Sequence, residues 1–113
     1  MEIINLPRGY GKTTNIIIKA AKTGYPIITL YDAMRRCIER RAEEITNQKI
    51  TVYTVAEFLD DDFWCDKIDK KPEHVLIDEL PFVLEELLGA KCEMATMTSK
   101  SLGEYYGHRD WDK

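Results

Sequence analysis

The residues best placed to do chemistry stand in two short runs, Pro7-Arg8-Gly9-Tyr10-Gly11-Lys12-Thr13-Thr14 and Asp78-Glu79. In the first, Gly9 and Gly11 allow a tight turn whose backbone N–H groups can converge on an anion. A lysine and two hydroxyls follow at once, on what reads as the opening of a helix, where the helix dipole also favours negative charge. That set suits phosphate oxygens, so Arg8, Gly9, Tyr10, Gly11, Lys12, Thr13 and Thr14 are the candidate nucleotide-binding residues. Lys12 would reach the β- and γ-phosphates of ATP, and the Thr13 hydroxyl would ligate Mg²⁺. The full pattern is Gly, four residues, then Gly-Lys-Ser/Thr; Gly11-Lys12-Thr13 supplies its end, while Leu6 holds the first glycine position. The alternative is a tight strand-to-helix turn with Lys12 solvated.

The second run closes the apolar stretch His74-Val75-Leu76-Ile77. Asp78 is the candidate for holding Mg²⁺ through a water. Glu79, with Lys12 the candidate catalytic residue, would orient and polarise a hydrolytic water. The competing reading is an acidic helix start, where Asp and Glu offset the dipole.

The elements that must position these runs alternate. An apolar segment 2–6 predicts a short strand leading into the loop, and a helix is predicted over 13–22, ended by Gly24. A second strand is expected at 26–31, with Asp32 as N-cap of an amphipathic helix to about residue 47. Residues 49–54 alternate as a third strand, followed by a short helix at 55–59. The charged stretch 60–73 reads as a surface loop. A fourth strand at 74–77 and a helix opened by Pro81 and stopped at Gly89 come next, then a fifth strand at 92–97. Strands alternating with helices predict an α/β fold with a mainly parallel five-stranded sheet and flanking helices. The expected organisation is a single domain over 1–113, with its core at 2–99 and a tail at 100–113.

With 113 residues, 44% hydrophobic and 32% charged, the composition is that of one globular domain. It is below the roughly 150 residues common for a nucleotide-hydrolysing α/β domain. The net charge of −4 hides a basic first half: residues 1–49 carry nine Lys/Arg against five Asp/Glu, and the rest seven against fifteen. The run Arg35, Arg36, Arg40, Arg41 reads either as a solvated helix face or as a patch for nucleic acid. Cys37, Cys65 and Cys92 stand apart, which argues against a disulfide framework or zinc site and fits a reducing cytoplasm. No leader or apolar run near 18 residues is seen, so neither export nor a membrane partner is expected. Asp60-Asp61-Asp62 reads as an exposed acidic loop, His74 as a strand-edge residue and His108 as surface. The aromatic tail Tyr105 to Trp111 could cover a sheet edge, contact another subunit or stack on adenine.

Taken together, the two runs resemble those of the P-loop NTPases, in the branch with a catalytic Glu after the metal-binding Asp. Residues 27–32 and 34–44 look like the second strand and helix of superfamily 1 helicases. Residues 50–59 look like their third strand, entering a short Thr-x-x-x-Phe segment that touches DNA. Residues 95–99 are placed like the coupling strand of helicases and phage terminase motors. The resemblance implies a minimal RecA-like core, a Mg²⁺-dependent ATPase, DNA or a partner protein as ligand, and a phage or prophage origin with residence in the host cytoplasm. A second motor domain and a clear arginine finger are missing, and Arg109 or Lys100 could instead act on a neighbouring subunit of a homo-oligomer. A catalytically weak nucleotide-binding or protein-interaction module remains the alternative. A nucleotide kinase is disfavoured, because no Arg-rich lid or zinc-binding Cys cluster follows.

Overall fold

The computed structural model describes residues 1–65, 67 and 70–97. The tail 100–113, with His108, Arg109 and Lys100, lies outside them. Elements follow in the order α1 (Lys12–Thr23), β1 (Ile27–Thr29), α2 (Asp32–Thr46), β2 (Val52–Thr54), α3 (Val55–Leu59), α4 (Asp61–Cys65), β3 (Leu76–Ile77) and α5 (Leu80–Leu88).

The three strands form one parallel sheet in the order β2-β1-β3. Parallel neighbours need crossovers that cover the sheet, and the sequence places them on both faces. On one face Ile17 and Ala20 of α1 and Ile38 and Ala42 of α2 pack with Ile27, Ile50 and Val52. On the other, Val55 of α3 and Val83 of α5 pack with Ile28, joined by Tyr53, Phe58, Val75 and Ile77. The middle strand β1 is buried along its whole length, as a strand covered on both sides must be.

Local signals set the element ends. Gly24 and Gly89 take left-handed φ just past α1 and α5, each returning its N–H to the last turn. Thr54 and Glu57 form a reciprocal capping box that opens α3: the Thr54 hydroxyl accepts from the Glu57 N–H, and a Glu57 carboxylate oxygen accepts from the Thr54 N–H. Phe58 packs with Tyr53 and Trp64, so the Thr-x-x-x-Phe segment is engaged within the fold itself. Tyr31, not Asp32, occupies the N-cap of α2, and Asp32 sits in its first turn, where both Arg35 and Arg36 pair with it.

The expected five-stranded, RecA-like sheet is not what the chain forms. Among the described residues there are three strands: neither 2–6 nor 92–97 pairs, and Ile3, Ile4, Met94 and Met97 stand exposed. The reason is the edge they would join. β3 is only two residues long, and Glu79 turns left-handed directly after it, so its free side offers little ladder for a further strand. Phe82, Leu87 and Leu88 of α5 also remain exposed. The charged stretch after residue 60 also differs from expectation. It contains α4, with Asp61 and Asp62 in the first turn and the Asp60 carboxylate accepting from the Asp62 N–H. No described helix is long and apolar enough to cross a membrane.

Candidate phosphate-binding cleft

The turn before α1 is built on two left-handed glycines, Gly9 at φ 87° and Gly11 at φ 85°. An added Cβ would meet no atom within 4 Å at either, so the demand for glycine comes from the backbone conformation and not from crowding. The Tyr10 N–H closes the turn on the Pro7 carbonyl at 3.3 Å. Leu6, at the position where a glycine was expected, is not among the residues with positive φ; Gly9 supplies the needed conformation from inside the loop.

Gly11 is also the N-cap of α1. It has no side chain to cap with, and no acidic residue stands in the first turn. The leading N–H groups of a 12-residue helix are therefore left without a side-chain acceptor. Together with Lys12, Thr13 and Thr14 they make a cationic, donor-rich end.

Facing it is the carboxyl end of β3. The Asp78 N–H donates to the Ile28 carbonyl at 3.0 Å, carrying the ladder one residue past the strand and fixing Asp78 beside the end of β1. Asp78 is buried to 8% exposure. Burial raises its carboxyl above the usual carboxylate range, Glu79 adds to the rise, and Lys12 opposes it. Glu79 caps α5 in a left-handed conformation, φ 63° and ψ 65°, that non-glycine residues seldom adopt. Its carboxylate lies 3.3 Å from the Lys12 ammonium. The two runs identified from sequence thus meet, 67 positions apart.

They line one cleft of about 770 Å³ with Arg8, Gly9, Gly11, Thr13 and Thr14. Tyr10 stands outward, 68% exposed. Sequence reasoning missed three further lining residues, Met34 and Arg41 of α2 and Phe82 of α5. Arg41 lay within the arginine run and Met34 within the apolar stripe, yet neither pattern says which helix face meets the cleft. The Arg41 guanidinium donates to the Thr14 hydroxyl at 3.0 Å. A smaller cavity, about 390 Å³, opens at the other end of the sheet beside Tyr25, Pro26, Thr51 and His74. Ligands of parallel α/β sheets bind beyond the carboxyl ends of the strands, which is where the larger cleft lies.

A divalent cation fits this chemistry. Hard cations take oxygen ligands, and the cleft offers the Thr13 hydroxyl with a buried Asp78 carboxyl whose ionised form is disfavoured in the protein alone. In the parallel register Thr29 and Asp78 follow the paired Ile28 and Ile77, and among the described residues Thr29 Oγ1 is fully buried with no hydrogen-bond partner. Comparison with protein-family models, curated proteins and solved structures gave no match to this chain.

Proposed function

We propose that the cleft binds a nucleoside triphosphate by its phosphates, with Mg²⁺, and that the protein is an ATPase. The observation that carries this is the meeting of an uncapped, lysine-bearing helix start with an adjacent pair of carboxylates at one strand end. The open N–H groups of α1 and the Gly9–Gly11 turn receive phosphate oxygens. Lys12 neutralises the outer phosphates, and Thr13 and Asp78 hold Mg²⁺, which when bound supplies charge neutralisation at the transferring phosphoryl group. Glu79, released from Lys12, orients water and accepts its proton as oxygen attacks the γ-phosphorus and the bond to the β-bridging oxygen breaks.

One observation favours a second reading, a binding module with little turnover. The Glu79 carboxylate lies 3.3 Å from the Lys12 ammonium, a contact that competes with its use as a base. Measuring Mg²⁺-dependent phosphate release beside ATP affinity separates the two. The ATPase reading requires turnover that Glu79→Gln removes while binding persists; binding without turnover in the unaltered protein selects the module. DNA or a partner protein as activator belongs to the same proposal: single-stranded DNA that raises turnover supports a motor-related role, and an unchanged rate counts against it.

A further inference from the structure

We infer that Arg41 is a phosphate-binding residue of this cleft, delivered from α2 to the phosphate nearest the Thr14 hydroxyl. The inference rests on the triphosphate reading of the site and deepens it by adding a cation that neither sequence run contains. Arg41 is separated from Thr14 by 27 residues, yet its Nη2 lies 3.0 Å from Thr14 Oγ1. The placement follows from packing. Ile38 and Ala42 of α2 are buried against Ile17 and Ala20 of α1, which locks the two helices together. Met34 and Arg41, seven residues apart and so on one side of α2, both line the cleft.

The charge pattern of the run separates Arg41 from its neighbours. Arg35 and Arg36 are both taken by Asp32, and Lys12 by Glu79. Among the described residues Arg41 has no carboxylate partner, and its one side-chain hydrogen bond goes to a neutral hydroxyl. A guanidinium has five donors in a planar fork matched to phosphate oxygens. With one donor on Thr14, the others remain for an anion on the same spot. Arg40, exposed on the next position, lines no part of the cleft.

The test is equilibrium binding of Mg·ATP to the full chain and to Arg41→Ala, Arg41→Lys, Arg40→Ala and Lys12→Ala, with thermal unfolding of each. Charge-assisted hydrogen bonds at an exposed site predict about tenfold weaker binding for Arg41→Ala. Arg41→Lys should fall between, since an ammonium cannot fork, and Arg40→Ala should bind as the unaltered protein does. If Lys12→Ala loses ATP while Arg41→Ala binds normally, the role given to Arg41 is wrong and the phosphate cleft stands. If the unaltered protein binds no triphosphate, both fall together. If Arg41→Ala spares ATP but weakens a single-stranded oligonucleotide, Arg41 serves nucleic acid and the inference is overturned.

Discussion

The Lys12 ammonium and the Glu79 carboxylate sit 3.3 Å apart across the mouth of the cleft, with both side chains about 30% exposed. An ion pair this open contributes about 0–1 kcal/mol. A pair this weak would yield to a polyphosphate, whose charge-assisted bonds to Lys12 would each be worth roughly 1.5–3 kcal/mol. Lys12→Ala should therefore cost at least tenfold in ATP affinity while shifting the unfolding free energy by no more than about 1 kcal/mol. Titration calorimetry and denaturant unfolding on the same preparation check both halves. Intact ATP affinity in the variant would remove Lys12 from the site.

Glu79 holds this pair from a left-handed backbone position, a conformation that costs an ordinary side chain about 1–2 kcal/mol and asparagine less. Glu79→Gln and Glu79→Asn both abolish the charge, so with charge held equal their difference reports mainly how well each residue tolerates the left-handed backbone. Both should lose turnover, and the Asn variant should be the more stable of the two by about 0.5–1 kcal/mol. A Gln variant equal or superior in thermal unfolding would show that no strain is stored at this position.

The backbone strain at Glu79 was not legible in the sequence, and the reason separates what could be read from what could not. Capping and stop signals act within a few residues: Gly24, Gly89 and the Thr54–Glu57 box mark the ends of α1, α5 and α3 by chemistry that the local sequence contains. Lys12 and Asp78-Glu79 do meet, but not by the route the sequence suggested: no strand forms at 2–6 to deliver the loop, and it is the packing of α1 against β1 and Leu76 of β3 that brings Lys12 to this strand end. Strand pairing is different. Ile3-Ile4 and Ala95-Thr96-Met97 carry residues that a strand would accept, but a strand exists only with a partner edge, and a two-residue β3 offers almost none. The α2 face that brings Arg41 to Thr14 depends likewise on how two helices dock, which the apolar stripe constrains and does not specify.

If Asp78 holds Mg²⁺ as proposed, it needs the ionised form that the fold disfavours. Burial favours its protonated form in the fold, so its contribution to stability is complete below the usual carboxylate value of about 4 and is lost as pH rises through the raised folded value. Asp78→Asn removes that loss. The variant should unfold at a higher temperature than the parent at pH 7, each kcal/mol of relief being worth roughly 4–8 °C in a small domain, and the gap should close as pH falls towards 4. Nucleotide binding should move the other way: EDTA should weaken ATP binding to the parent and leave the Asn variant, already weak, unchanged. A variant that melts lower at pH 7, or still responds to EDTA, contradicts the assignment.

Thr29 offers a probe of the same spot from the middle strand. Its hydroxyl is fully buried and has no partner among the described residues, which costs roughly 1–3 kcal/mol relative to a satisfied group. Valine has nearly the same shape and matches the surrounding Ile27 and strand environment, so Thr29→Val deletes the polar group without opening a cavity. If the hydroxyl serves only the strand, the substitution should raise the unfolding temperature by several degrees and leave Mg²⁺-dependent ATP affinity alone. If it lies in the shell around the cation at Asp78, stability should still rise while the Mg²⁺ concentration needed for ATP binding increases severalfold, because outer-shell partners orient the ligands of a metal. The second pattern is expected here, since parallel register carries Thr29 to the side of Asp78. Thermal unfolding with a Mg²⁺ titration of ATP binding distinguishes the outcomes, and a fall in stability would mean that the hydroxyl is satisfied in solution.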